Sequence, residues 1–298
     1  MRVRSIGLRI ASSVVATMVS FPVSGVLAQD HAASPAAPRL TTDGQPDIQG
    51  IWRANPGGDT YDLSGNAGPR PDYVLQGNGM RRPPTRRVID PPDGKIPYQP
   101  WAAAKQKDIQ DHVDSPTKPE YVDTQARCLL EGPGRVFIHS GFQILQAPGY
   151  VLFFTEENDE TRIIPLDNRP HIGPDIKLWQ GDSRGHWEGN TLVIDVTNVK
   201  AKSRLDMVGN FYSPNAHFVE RLTIVDDKTI DYEATITDPT VYTRPWRLAA
   251  RFSRRFAAGS GYEVYEDACH EGERTADHLP LPANDTNKSA AGTKVSQN

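Results

Sequence analysis

Between His217 and Ser253 the chain puts charge on faces that its alternation otherwise reserves for apolar side chains. Successive side chains of a strand point to opposite faces, so residues two apart share one. Phe218, Leu222 and Ile224 then share a face with Glu220, and Tyr242, Trp246, Leu248, Ala250 and Phe252 share one with Arg244. Between them, Ile230, Tyr232, Ala234 and Ile236 form an uninterrupted apolar face. A charge on a buried face costs several kcal/mol unless it is paired. The fold must therefore bring these charges together in an enclosed interior or hold them for a ligand.

The chain from Arg135 onward reads as short strands bounded by turn residues. The segments are Val136–His139, Phe142–Gln146, Tyr150–Thr155, Thr161–Pro165, Gly185–Glu188, Thr191–Val196, His217–Val225, Thr229–Thr237, Val241–Ser253 and Tyr262–His270. Gly189-Asn190 is a hairpin signal between two of them. About ten closely spaced antiparallel strands predict a mainly β fold, a single antiparallel barrel over residues 46–279. One helix is expected from Pro100 to Gln110, with Trp101, Lys105 and Ile109 on one face. The Pro-, Gly- and Arg-rich arm from Asn55 to Pro100 is long for a connection, and connections of that length are functional or wrap a scaffold. Residues 29–45 read as a flexible lead-in and residues 280–298 as a disordered tail.

Hairpin parity gives a register. Closure of the first hairpin around Asp226-Asp227-Lys228 sets Ile224 opposite Ile230, Leu222 opposite Tyr232, Glu220 opposite Ala234 and Phe218 opposite Ile236. A similar closure around Asp238-Pro239-Thr240 sets Tyr242 beside Ile236, Arg244 beside Ala234 and Trp246 beside Tyr232. Every apolar residue then falls on one face. Glu220, Ala234 and Arg244 form a row across three strands, and a fourth strand brings Glu266 beside Leu248 and His270 beside Arg244.

Two readings of this row stand side by side. In one, Glu220 and Arg244 are a structural ion pair. In the other, Arg244 holds an anionic or carbonyl oxygen, His270 or Glu266 moves a proton, and Glu220 orients Arg244. Tyr242, Trp246 and Tyr232 would then line the pocket, with His171 at its mouth or exposed in its loop.

The N-terminus reads as a secretory leader over residues 1–28. Arg2, Arg4 and Arg9 precede an apolar stretch, and Val26-Leu27-Ala28 offers a small-residue cleavage site. Its removal takes the formal charge from −4 to −7, which argues against nucleic acid or an anionic membrane as main partner. No second apolar run is long enough for an anchor, so a periplasmic location is expected. Cys128 and Cys269 are the two cysteines. In an oxidising compartment they most simply pair, closing about 140 residues and stabilising by about 4 kcal/mol on the chain-entropy model; a buried free pair and a nucleophile are the alternatives. His217 and Glu220 lie on opposite faces, and no HxH or HExxH run is present, so no metal is expected. Without a GxSxG, a phosphate loop or a dinucleotide fingerprint, no cofactor is expected either.

Gly50-Ile51-Trp52 resembles the GxW opening of lipocalin-type barrels, in which the Trp packs near one end, often under an Arg from a late strand. A broader set of motifs is similar to a family of exported bacterial proteins of unknown function. It comprises Pro46-Asp47…Gly50-Ile51-Trp52, Tyr98-Gln99-Pro100-Trp101, Arg127-Cys128, Trp187-Glu188-Gly189-Asn190-Thr191-Leu192-Val193, Glu220-Arg221, Tyr242-Thr243-Arg244-Pro245-Trp246 and Cys269-His270-Glu271. That resemblance implies secretion and a β-rich fold. The chain departs from it at Asn210-Phe211-Tyr212-Ser213, where a His-Pro-His-Ser-like stretch is expected. The leading expectation is a cofactor-free acid/base enzyme, a lyase, isomerase or hydrolase acting on a small organic, even aromatic, molecule. The alternatives are a lipocalin-like carrier and a structural envelope protein.

Overall fold

Nine strands follow one another around the molecule in a computed structural model that describes residues 39–55, 62–65, 86–113, 115–139, 141–156, 158–255 and 263–264. They are β1 (Gly50–Asn55), β3 (Gly141–Ala147), β4 (Tyr150–Thr155), β5 (Thr161–Pro165), β6 (Asp182–Glu188), β7 (Thr191–Thr197), β8 (His217–Asp226), β9 (Thr229–Thr237) and β10 (Trp246–Arg254). The spatial order is β5-β4-β3-β1-β10-β9-β8-β7-β6, all antiparallel, and the short β2 (Val88–Asp90) shares the edge of β10 with β1. The barrel is nearly closed. At its seam no backbone ladder joins β5 to β6; instead Arg162 Nε donates to Ser183 Oγ across the gap at 3.0 Å. The expected mainly β barrel with one helix is the observed fold.

The inward faces are those the alternation assigns. Phe218, Leu222, Ile230, Tyr232, Ala234, Ile236, Trp246, Leu248 and Phe252 are all fully buried. The β8–β9 register is Ile224↔Ile230, Leu222↔Tyr232, Glu220↔Ala234 and Phe218↔Ile236, as parity predicts. Asp226 pairs with Thr229, and a bulge at Val225 keeps the rest of the ladder in phase.

Two expectations fail locally. Val136–His139 is not a strand but a single helical turn, α2. Both edges of β3 are taken by β1 and β4, so this segment has no ladder to join. It drops Phe137 into the barrel instead, with ring centroids 4.6–6.3 Å from those of Phe142, Phe153, Tyr232 and Phe252. The helix α1 (Pro100–His112) is present, but it buries Ala102 and Ile109 while Trp101 stays half exposed.

The GxW motif closes one end. Trp52 is buried, donates its Nε1–H to the Ile48 carbonyl at 2.9 Å and carries the Arg254 guanidinium 4.4 Å above its ring. Arg254 comes from the last strand and also donates to the Gln49 and Asp227 carbonyls. Gly50 is required here: its φ is +135°, and an added Cβ would overlap that guanidinium.

At the opposite end β6, β8 and β10 begin and β1, β7 and β9 finish, and the described connections 198–216 and 238–245 lie there. Among the described residues no helix is long and apolar enough to cross a membrane. The expected leader 1–28 and tail 280–298 lie outside the described residues, as do Glu266, Cys269 and His270.

Candidate functional site

Glu220 does find a cationic partner inside the barrel, but not the expected one. Its carboxylate is fully buried, is paired with the Arg162 guanidinium from β5, and accepts the Tyr232 hydroxyl at 2.7 Å. Burial, with the adjacent Glu220 charge second, pushes the Tyr232 phenol well above its ordinary range. The Arg162 guanidinium lies 5.5 Å from the Phe137 ring, so aromatic packing surrounds the pair.

Arg244 lies elsewhere. The chain between β9 and β10 is not a three-residue loop. Asp238 accepts from the Ser213 and Thr240 amides and the Ser213 hydroxyl, its carbonyl accepts from Val241 and Tyr242, and Thr243 bonds Pro97. These contacts hold residues 238–245 out of the sheet, and β10 starts at Trp246, opposite Ile236. The expected register is thus displaced by four residues, so Leu248, not Arg244, stands beside Ala234. An even displacement preserves parity, which is why Trp246 still points inward. Arg244 is exposed, 3.2 Å from Asp90. Tyr242 is buried in the loop and donates to the Phe211 carbonyl at 2.7 Å.

His171 lies in the connection that runs from β5 to β6 outside the barrel. Its Nδ1 is 2.7 Å from Asp182 and its Nε2 is 2.8 Å from Asp195, whose other oxygen is 2.7 Å from His217 Nε2. This imidazole–carboxylate chain pins the connection to the outer face of β6–β8. Cys128 is half buried with φ +52°, and its expected partner Cys269 lies outside the described residues.

A cleft of about 190 Å³ opens at the loop-bearing end, among Asp62, Lys95, Tyr98, Gln106, Gln110 and Asn210, with Ser64 and Ile96 completing it. Leu63 is anchored by its carbonyl, which accepts from the Arg87 and Val88 amides, placing Asp62 in the wall. Asp62 Oδ1 accepts the Ser64 amide and hydroxyl. α1 contributes Gln106 and Gln110, whose side chains bond each other at 3.3 Å. The loop carrying Asn210 approaches α1 closely because Gly209, at φ +91°, leaves room for Ile109, which any Cβ would overlap.

Behind these lining groups lies Asp206, fully buried. Its carboxyl accepts the amides of Leu63 and Asn210, each at 2.9 Å, and the Asn210 side-chain amide. Asn210 Oδ1 accepts in turn from the Tyr98 hydroxyl at 2.9 Å. Burial, with the neighbouring Asp62 charge second, pushes the Asp206 carboxyl up to about 7. Three hydrogen bonds oppose that shift without overcoming it.

None of the described residues assigned a site role from the sequence lines this cleft. Asp62, Lys95, Asp206 and Asn210 carry no periodic signal, and 143 residues separate Leu63 from the carboxylate that holds it. The pointers available were the length of the arm and the departure at Asn210–Ser213. No protein-family model matches the chain, and no curated protein matches it either.

Proposed function

We propose that this protein is an exported acid/base enzyme, a lyase, isomerase or hydrolase, that works on a small polar molecule in the loop-end cleft. The observation that supports this reading is the pair Asp62 and Asp206: a carboxyl group in the cleft wall, backed by a fully buried one that burial pushes up to about 7. In this reading Asp62 exchanges a proton with the substrate. Asp206 is a positioning residue: its carboxyl holds the Leu63 amide next to Asp62 and the Asn210 amide across the cleft wall. The Tyr98 hydroxyl holds the Asn210 amide, which in turn holds the Asp206 carboxyl. Such proton transfer is typically worth 10²–10⁴-fold in rate. The carrier alternative is less well supported, because Phe137, Phe142, Phe153, Tyr232 and Phe252 fill the barrel interior.

The test is turnover of a panel of hydroxy acids, keto acids, esters and polyols, followed by NMR in deuterated buffer. Asp62→Asn and Asp206→Asn should each lower kcat by about a hundredfold or more. The wild-type profile should show a limb near pH 7. Turnover indifferent to both substitutions would sink the assignment.

A further inference from the structure

The cleft carries its charges unevenly. Lys95 is exposed at the rim, and among the described residues it makes no ion pair. Asp62 is nearly inaccessible in the wall, with Asp206 behind it. Among the described residues the remaining lining mixes hydrogen-bonding side chains with Ile96 and the Tyr98 ring. Gln106 gives its amide hydrogens to Gln110 Oε1 and the Val208 carbonyl, leaving its own oxygen as an acceptor, while the Gln110 nitrogen remains a donor. An acceptor next to a donor matches a hydroxyl, which gives and takes at once. Ile96 is the single aliphatic side chain among the described lining residues.

We propose that the cleft binds a small hydroxycarboxylate, its carboxylate at Lys95 and its hydroxyl at Asp62, Gln106 and Gln110. This deepens the acid/base reading and rests on it for the reaction, not for the binding. The hydroxyl, or the carbon bearing it, then stands at the carboxyl pair. The chemistry that follows is abstraction or return of a proton at the group α or β to a carboxylate. Lys95 holds the substrate's charge away from Asp62, which would otherwise repel it.

Saturation-transfer NMR and calorimetry on the full chain would test this with glycerate, malate and tartrate as probes. Glycerol and lactamide serve as neutral counterparts, and serine as the zwitterion. The three hydroxycarboxylates should bind, the neutral counterparts at least tenfold more weakly, and Lys95→Met should weaken the carboxylates about tenfold while leaving the neutral compounds unchanged. Equal binding of glycerol and glycerate, tightest binding of serine, or indifference to Lys95→Met would each overturn the proposal. Its failure is distinguishable from that of the catalytic reading. Hydroxycarboxylates bound through Lys95 but never turned over would overturn the catalysis alone. A neutral compound turned over in an Asp62-dependent way would overturn the substrate class alone.

Discussion

Arg254, from the last described strand, lays its guanidinium 4.4 Å above the indole of Trp52, its register partner on the neighbouring first strand, and so braces the β1–β10 pair at the closed end of the barrel. The contact combines cation–π attraction with two hydrogen bonds to backbone carbonyls, those of Gln49 and Asp227. Gly50 leaves the space it needs.

Gly50→Ala should therefore destabilise the barrel by about 2–3 kcal/mol, since it combines an unfavourable φ with displacement of the guanidinium. Urea unfolding would measure it, alongside the fluorescence of Trp52. An unchanged midpoint would show that Arg254 has another place to go.

Glu220→Gln should cost about 3–5 kcal/mol, because it leaves the Arg162 charge buried without its counter-charge. Replacing both Glu220 and Arg162 with apolar residues of similar size should recover a large part of that loss. Chemical denaturation of the single and double variants checks this. A single variant as stable as the wild type would mean that the pair is not buried in solution.

Phe137→Ala should cost about 3–5 kcal/mol and leave a cavity lined by Phe142, Phe153, Tyr232 and Phe252. An apolar cavity of that kind takes up small apolar guests. Benzene should raise the melting temperature of the variant and leave that of the wild type alone.

The Asp206 carboxyl makes stability depend on pH in a defined direction. Burial first, and Asp62 second, raise it from the ordinary 3.8 to about 7. Between those values the folded chain keeps a proton that the unfolded chain has released. Stability from this group is thus fully present below about pH 4, falls as pH rises, and is gone above about pH 7. Asp206→Asn carries no such proton. The melting temperature of wild type minus that of Asp206→Asn should be higher at pH 5 than at pH 8; parallel curves would refute the shift.

How much of this was legible in the sequence depends on distance along the chain. The β8–β9 hairpin was readable pair by pair, because the apolar alternation of adjacent strands admits one register. The β10 register was not. Its displacement comes from Asp238 bonding to Ser213 and from Thr243 bonding to Pro97, contacts that no local pattern contains. Arg162, sharing a face with Ile164 on a short edge strand, carried the same signal as Glu220, a charge among inward residues, and could have been matched to it. The cleft residues sit in connections without periodicity, and packing of the loops over the barrel end is what assembles them.

At the seam, Arg162 reaches Ser183 and Glu220 where neighbouring strands elsewhere exchange peptide hydrogen bonds. The cylinder is therefore hooped by backbone around most of its circumference and buttoned by side chains along one line. Splitting it lengthwise breaks no amide ladder, so hydrogen exchange and proteolysis should register β5 and β6 opening before any other strand pair.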